Sequence, residues 1–155
     1  MKFITNIQLT FIALFMIISC NTDTIEVNCS VLYKEGIKHY LDDSLYSGNC
    51  LVFKDENLAE SRIIKNGVHK STIGYYDTGE VKFTGGMKRD SLNGVYKEFY
   101  KSGKIAIQGK FKMGYYDGRW RFTQENGVLL RITTFKNGQV VSEIDKIKKW
   151  KKHYY

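Results

Sequence analysis

Residues 93–120 read NGVYKEFYKSGKIAIQGKFKMGYYDGRW, and this stretch ends with a motif similar to the one with which it begins. Asn93-Gly94-Val95-Tyr96 corresponds to Asp117-Gly118-Arg119-Trp120, 24 residues later. Other glycines keep the same spacing, at Gly79, Gly103 and Gly127. The chain therefore repeats a unit of about 24 residues, and four such units, two of them regular, cover residues 45–141.

Each unit contains two tight-turn signals, such as KSGK (101–104) and YDGR (116–119). Asn-Gly and Asp-Gly pairs favour two-residue hairpin turns, because both central residues need positive φ. Between the turns apolar and polar residues alternate, which predicts strands whose apolar side chains share one face: Ile105, Ile107, Phe111 and Met113. Gly85-Gly86 interrupts one strand and predicts a bulge. The sequence therefore predicts an all-β fold, an elongated antiparallel β-meander of hairpin repeats.

The first 19 residues have the features of a lipoprotein signal peptide. Lys2 supplies a positive start, and the mostly apolar stretch 7–18 is too short to cross a bilayer as a helix. Ile17-Ile18-Ser19-Cys20 resembles the lipobox of bacterial lipoproteins, which implies cleavage before Cys20 and attachment of lipid, such as palmitate, to that cysteine. Asn21 favours the outer membrane over the inner one, so we expect a lipid-anchored protein of the cell envelope. The alternative is an ordinary signal peptide with a chance cysteine.

Two further cysteines, Cys29 and Cys50, would lie in an oxidising compartment in such a lipoprotein. A disulfide between them would stabilise the fold by about 3 kcal/mol. The alternative is that Cys50 is a small buried apolar residue and Cys29 is free. The sequence leaves both alternatives open.

The positive charge of the chain is concentrated at its C-terminal end. The formal net charge is +8, but the last ten residues, KIKKWKKHYY, hold five lysines and no acid, which leaves 18 basic and 16 acidic residues in 20–145. This balance does not predict a nucleic-acid-binding face on the body of the protein. The basic aromatic tail could form a short helix that starts at Ser142, with Asp145 as its capping partner. That helix would lie on an anionic membrane or cover the edge of the last strand, and a solvated tail is the third alternative.

Residues with catalytic or metal-binding chemistry are scattered along the chain. His39, His69 and His153 fall in different predicted elements without ligand spacing, and His69 aligns with Asn93 and Asp117, where a turn is expected. No nucleophile is accompanied by a base, and no pair of carboxylates marks a pocket. We therefore expect a protein that is not an enzyme, with no metal and no cofactor.

The repeat resembles a known family in its motif of glycine, aromatic residues and a second glycine, followed by a strand and [FY]-K-x-G. This motif is similar to the MORN-repeat variant of the YwqK-type antitoxin family. The resemblance covers about residues 33–141, and its best stretches are GVYKEFYKSGKIAIQGKFKMG (94–114) and GRWRFTQENGVLLRITTFKNG (118–138). It implies a repeat sheet that binds and neutralises a toxin.

Aromatic residues that recur at the repeat spacing are the candidate partner-binding residues. Most of this signal is expected to be core and cross-strand packing. The remainder predicts an exposed row on the sheet formed by Tyr76, Tyr100 and Tyr116, with Trp120 as a further candidate. Such a row could bind a protein or a glycan.

These features divide the chain into four segments: a signal peptide (1–19), a linker (20–32), the repeat domain (33–141) and the basic tail (142–155). Two functions follow. The first is an envelope protein, attached to the membrane through Cys20 and with the tail as a second contact, that binds a protein partner, in its specific form as an antitoxin or immunity protein. The second is a structural envelope lipoprotein or scaffold without a dedicated partner.

Overall fold

A computed structural model describes residues 26–146 of the chain, so the stretch predicted to be a signal peptide, Cys20 and the end of the basic tail lie outside the described residues. The described part is built almost wholly from β-strands, with one short 3₁₀ turn at Cys29–Val31. The strands are β1 (Glu26–Asn28), β2 (Tyr33–Glu35), β3 (Lys38–Leu41), β4 (Ser44–Leu45), β5 (Gly48–Lys54), β6 (Asn57–Lys65), β7 (Val68–Tyr75), β8 (Val81–Lys88), β9 (Ser91–Phe99), β10 (Ile105–Lys112), β11 (Tyr115–Thr123), β12 (Leu129–Lys136) and β13 (Gln139–Asp145).

The 13 described strands form one open sheet. From β5 to β13 each strand pairs antiparallel with the next one along the chain, and β1 adds a parallel strand beside β5. Strands β2, β3 and β4 form a small arm that joins the sheet where Lys38 of β3 pairs with Val68 of β7. This arrangement confirms the predicted antiparallel β-meander.

Two kinds of turn connect the strands, and from the β6–β7 turn onwards they alternate. One kind closes on a glycine, as where the Gly103 amide donates to the Tyr100 carbonyl at 2.8 Å. The other is a two-residue hairpin turn in which both central residues have positive φ, the geometry that matches the twist of the strands. The described pairs of this second kind are Asp42-Asp43, Asp55-Glu56, Asn66-Gly67, Arg89-Asp90, Met113-Gly114 and Asn137-Gly138.

The prediction of turns at Asn93-Gly94 and Asp117-Gly118 is wrong. Both pairs lie inside strands β9 and β11, because the chain has already reversed at the preceding two-residue turns. Gly94 (φ +94°) and Gly118 (φ +68°) instead lie at bulges in these strands, where positive φ is also needed. Between β8 and β9, for example, the pair Gly85 with Tyr96 is followed by Met87 with Leu92, so β9 holds two extra residues.

Three further details of the strand prediction can be compared with the structure. The register does shift next to Gly85-Gly86, where a bulge was expected, but the extra residues belong to the facing strand β9. Met113 does not belong to the inward face of β10, because it is the first central residue of a hairpin turn, with φ +51°. His69, which was expected in a turn, lies within β7 and is buried.

The sheet is a single layer, because the contacts between described elements follow the pairing order of the strands. A single layer buries few side chains completely, and the buried apolar residues of the described part are Tyr46, Cys50, Ile64 and Trp120. Three of them pack beside the arm, together with partly buried residues such as Val27 and Leu41. Trp120 lies far from them in the sheet order, on β11, and is held by the aromatic residues described below.

Both predicted ends of the repeat domain need correction. The expected linker is structured from Glu26, because β1 pairs with β5 and a disulfide joins Cys29 to Cys50, with an S–S distance of 2.12 Å. At the other end, Ser142 and Asp145 pair with Thr134 and Arg131 of β12, so they continue strand β13 and do not cap a helix. Antiparallel pairing satisfies the backbone groups here, where a helix start would have left β12 as the open edge.

Within residues 26–146, no helix has the length and apolar character needed to cross a membrane.

Candidate functional site

Six aromatic side chains form a continuous cluster on one face of the sheet from β8 to β12. Neighbouring rings are in contact, with centroid distances from 4.5 Å for Tyr116–Trp120 to 6.3 Å for Trp120–Phe135. We call this surface the aromatic face, defined by Phe83, Tyr96, Phe111, Tyr116, Trp120 and Phe135. Offset and edge-on ring contacts of this kind add to the stability gained from burial.

Trp120 is the centre of the aromatic face and is only 1% exposed. Its ring lies flat against Gly109 of β10, where an added Cβ would come within 2.2 Å of the indole. The indole N–H donates to the Lys110 carbonyl oxygen at 3.1 Å. Trp120, which the sequence suggested as a partner-binding candidate, is therefore buried at the centre of the face and is held in place by its neighbours.

Tyr76 and Tyr100 do not form a row with Tyr116. Each begins a glycine turn, and its hydroxyl donates to a carbonyl oxygen one repeat further on, from Tyr76 to Phe99 at 2.6 Å and from Tyr100 to Thr123 at 2.8 Å. Tyr116 lies at the start of β11, whereas Tyr100 follows the end of the parallel-running β9, so the two are at opposite ends of the strands. The cause is that Tyr116 occupies a different position in the repeat. The residue 24 positions before Tyr100 is Tyr76, whereas the residue 24 positions before Tyr116 is Leu92.

Tyr116 is the predicted candidate that the structure leaves accessible, with 43% of its surface exposed. Its ring stacks on Phe135 at 5.0 Å and meets Phe111 at 4.8 Å. Phe111 and Phe135 are 24 residues apart and follow Met87 in the same column. Alternation placed Phe111 on the apolar face of its strand, and in the structure Phe111 and Phe135 are half-buried beside the exposed Tyr116.

A hollow of about 270 Å³ opens on the aromatic face between β9 and β11. Leu92, Ile107 and Phe122 line it together with the rings, and Glu98 is its one described carboxylate. Burial, helped by the nearby Glu98 carboxylate, raises the pKa of Tyr96 to about 12. The Tyr96 phenol therefore stays neutral at physiological pH, and the hollow offers apolar walls with one hydroxyl and one acid.

A second hollow, of about 350 Å³, lies where the arm meets the sheet, and here the structure brings His39 and His69 together. The His39 Nδ1–H donates to the Gly67 carbonyl and the His69 Nε2–H to the Ser71 carbonyl, each at 3.0 Å. Burial lowers the pKa of His69. Charges around the two rings are paired, with ion pairs of 2.9 Å between Lys34 and Asp90 and between Glu60 and Arg62.

The interactions around this second hollow attach the arm to the sheet. Within residues 26–146 no group of three or more histidine, cysteine or acidic side chains is placed to hold a metal ion. Backbone hydrogen bonds of Gly67 with His39 and Tyr46 join the arm to the β6–β7 turn, and the ion pair between Lys34 and Asp90 joins it to the β8–β9 turn. His153 lies outside the described residues.

The hairpins that carry the aromatic face are also the part of the chain with a recognisable family signature. Residues 92–113 and 116–137 match the family model of the MORN repeat variant. The chain thus carries two MORN repeat variants. Each match coincides with one hairpin, β9–β10 or β11–β12, together with the glycine turn that joins its strands. We call these two units the MORN hairpins.

None of the curated proteins matches this chain. A solved structure with some similarity to this chain is "Crystal structure of GtfA/B complex bound to UDP and GlcNAc", at 13% sequence identity and a TM-score of 0.38. The match covers 80% of this chain and 30% of that one, so this chain spans less than a third of its length.

Proposed function

We propose that this chain is a lipid-anchored protein of the cell envelope whose repeat sheet binds a protein partner through the aromatic face. The observation that carries the proposal is the aromatic cluster on one face of the sheet, in which Tyr116 is 43% exposed and lies beside a hollow lined by the other rings. Contiguous exposed apolar surface on a soluble domain is typical of an interaction site, and tyrosine, tryptophan and phenylalanine are enriched in such interfaces.

The aromatic face is suited to binding because its rings are held in place before a partner arrives. Tyr116 is fixed by Phe111, Trp120 and Phe135, and Trp120 is fixed by its hydrogen bond to Lys110. Rigid aromatic side chains lose little conformational entropy on association, so more of the contact energy becomes affinity. We expect Tyr116 to be the central contact residue.

Anchoring through Cys20 would keep the sheet close to the membrane. Glu26, where β1 begins, is six residues after Cys20, and an extended chain spans at most about 3.6 Å per residue, or about 20 Å in all. The disulfide between Cys29 and Cys50 is consistent with an oxidising compartment outside the cytoplasm. In this proposal the anchor is at the outer membrane, and the partner is another protein of the envelope.

The specific form of the proposal is an antitoxin or immunity role, in which the partner is a toxin. This form rests on the resemblance of residues 33–141 to the YwqK-type antitoxin family and on the two MORN repeat variants. Binding by the aromatic face would neutralise a toxin by covering part of its surface, with no chemistry supplied by this chain.

The proposal can be tested by site-specific photo-crosslinking of the full chain in its own cells. A benzophenone amino acid replaces Tyr116 in one variant and Ile63 in a matched control, because Ile63 is 41% exposed on β6, away from the aromatic face. We expect one envelope protein to crosslink at position 116 and not at position 63. If nothing crosslinks at position 116, the binding function is refuted and the scaffold function takes its place.

The antitoxin form has its own test once a crosslinked partner is identified. The partner is expressed alone, with the wild-type chain and with Tyr116→Ser, and growth is recorded. Growth arrest that the wild-type chain relieves and Tyr116→Ser does not relieve supports the antitoxin role. A partner that is harmless when expressed alone contradicts it.

A further inference from the structure

The face of the MORN hairpins opposite the aromatic face is basic. Successive side chains of a strand point to opposite faces, so the neighbours of the inward Tyr96, Gly109 and Trp120 point away from the aromatic face. Several of these neighbours are cationic, and we call the surface they form the basic face: Lys97, Lys110, Arg119 and Arg121. The body of the chain is close to neutral overall, but it therefore carries a local positive surface on this face.

Strand register places these cations close together. Gln108 of β10 pairs with both Lys97 of β9 and Arg121 of β11, and strands lie about 4.8 Å apart, so these two cations are about 10 Å apart at their Cα atoms. Arg119 precedes Arg121 by two residues on β11, a distance of about 7 Å along a strand. The four cations thus lie close enough together for one short extended peptide to reach all of them.

Among residues 26–146, no ion pair neutralises the charges of the basic face. Ion pairs in residues 26–146 join Lys34 to Asp90, Arg62 to Glu60 and Arg131 to Glu143, and none of them involves a residue of the basic face. Neighbouring like charges repel one another, and an anionic ligand would relieve this repulsion.

A hollow of about 490 Å³ lies at the centre of the basic face. Lys110, Arg119 and Arg121 line it, with Asp117 as its one described carboxylate. The bulge in β11 sets Gly118, Arg119 and Trp120 against the single residue Gly109 of β10, so Gly118 and Arg119 have no register partner on that side. Backbone polar groups without a ladder partner are available to a ligand in such a bulge.

We propose that this hollow binds an extended acidic segment of a partner protein. Arginine matches the geometry of a carboxylate with two parallel hydrogen bonds, and alternate residues of an extended peptide are about 7 Å apart, as Arg119 and Arg121 are. Asp117 would accept a hydrogen bond from a peptide N–H, whereas it would repel a uniformly anionic polymer or membrane. No aromatic side chain is among the described residues that line the hollow, which disfavours single-stranded nucleic acid, whose bases stack on aromatic rings.

The basic face lies on the side of the sheet opposite Tyr116, so this inference stands or falls independently of binding at the aromatic face. The probe is a fluorescent peptide that alternates glutamate and serine, titrated with the full chain in detergent and followed by anisotropy. A peptide that alternates glutamine and serine controls for backbone binding alone. Labelled oligothymidylate and phosphatidylglycerol vesicles test the two other anionic partners.

Three variants locate the site. Arg119→Gln/Arg121→Gln should weaken binding of the acidic peptide at least about tenfold, because two charge-assisted contacts at an exposed site are removed. Lys151→Gln/Lys152→Gln removes the same charge from the basic tail and should change the affinity less than about twofold, because the cations of the proposed site lie on β10 and β11. Asp117→Asn keeps a side-chain oxygen that accepts the peptide N–H but removes the one negative charge, so it should tighten binding of the acidic peptide, a gain that misfolding cannot produce.

Each outcome decides the proposal. The pattern of loss, no change and gain in the three variants supports it. Equal losses in the two double variants would show that affinity follows net charge or the tail, and would overturn it. The proposal also fails if the acidic peptide does not bind, or if the oligonucleotide or the vesicles bind better and lose affinity in Arg119→Gln/Arg121→Gln.

Discussion

Gly109→Ala tests whether the flat contact between Trp120 and the backbone of β10 holds the aromatic face together. The φ of Gly109 is outside the left-handed region, so alanine fits the backbone at this position. Its Cβ, however, would lie 2.2 Å from Cδ2, 2.3 Å from Cε2 and 2.6 Å from Cγ of the indole. The ring must therefore retreat by about 1 Å to restore ordinary contact, and Tyr116 and Phe111 lie in the way.

The expected loss of stability combines two opposed effects. Overpacking of a buried contact costs about 1–3 kcal/mol, whereas replacing glycine with alanine at a compatible position stabilises by about 0.4–1 kcal/mol through the unfolded chain. Because the obstacle is a buried ring with little room to move, we expect a net loss of about 2 kcal/mol. In a Trp120→Ala background the obstacle is gone, so Gly109→Ala should become neutral or stabilising.

Urea unfolding of the full chain, followed by far-ultraviolet circular dichroism, measures these free energies. Gly85→Ala is the matched control one repeat earlier, where the new Cβ would meet the Leu92 Cδ2 at 2.7 Å, the end of a side chain that can rotate away. Gly109→Ala should therefore cost more than Gly85→Ala. The reasoning is refuted if Gly109→Ala unfolds at the wild-type urea concentration, or if its cost is unchanged when Trp120 is alanine.

Three further predictions concern other parts of the sheet. Cys29→Ser should lower the free energy of unfolding by about 2–4 kcal/mol, because the disulfide to Cys50 closes a loop of 21 residues. Tyr100→Phe should lower it by about 0.5–1.5 kcal/mol, because the hydroxyl bond to Thr123 is lost. Burial lowers the pKa of His69, so the fold should lose stability as the pH falls below about 6.5, where the unfolded histidine binds a proton that the folded one resists. His69→Gln should reduce this loss.

Urea unfolding at several pH values checks all three predictions. An unchanged midpoint for Cys29→Ser under oxidising conditions would contradict a stabilising disulfide, and reduced wild-type protein is its control. If the Tyr100→Phe variant is as stable as wild type, the hydrogen bond from Tyr100 does not stabilise the fold. Tyr115→Phe is the matched control, because the Tyr115 side chain is 62% exposed. For His69, the contradicting result is an equal fall in stability on acidification in wild type and in the glutamine variant.

The periodicity of the sequence was enough to determine the fold class. Glycines and aromatic residues that recur every 24 residues, with apolar alternation between them, predict a meander of hairpins, because strand pairing is local and each turn is short. The two matches to the MORN repeat variant coincide with two of these hairpins. Turn positions were less predictable, because Asn-Gly and Asp-Gly have the same conformational freedom in a bulge as in a turn.

The candidate surfaces depended on information that periodicity does not contain. Whether Phe111 and Phe135 lie in a core or on a surface depends on a second layer, and only the contacts between strands show that there is none. Tyr76, Tyr100 and Tyr116 look alike in sequence, yet the repeat offset puts Tyr116 at the other end of the strands.

The sequence by itself therefore determined the strands, the repeat and the antiparallel order, since these follow from local alternation and short connections. Tertiary structure alone decided which face is aromatic, which face is basic and which residues each presents. The physical reason is the bulge at Gly118, which shifts the register of β11 against β10 and so aims Trp120 at Gly109 and Arg119 at the opposite face. A register shift depends on pairing between strands, and no single strand encodes it.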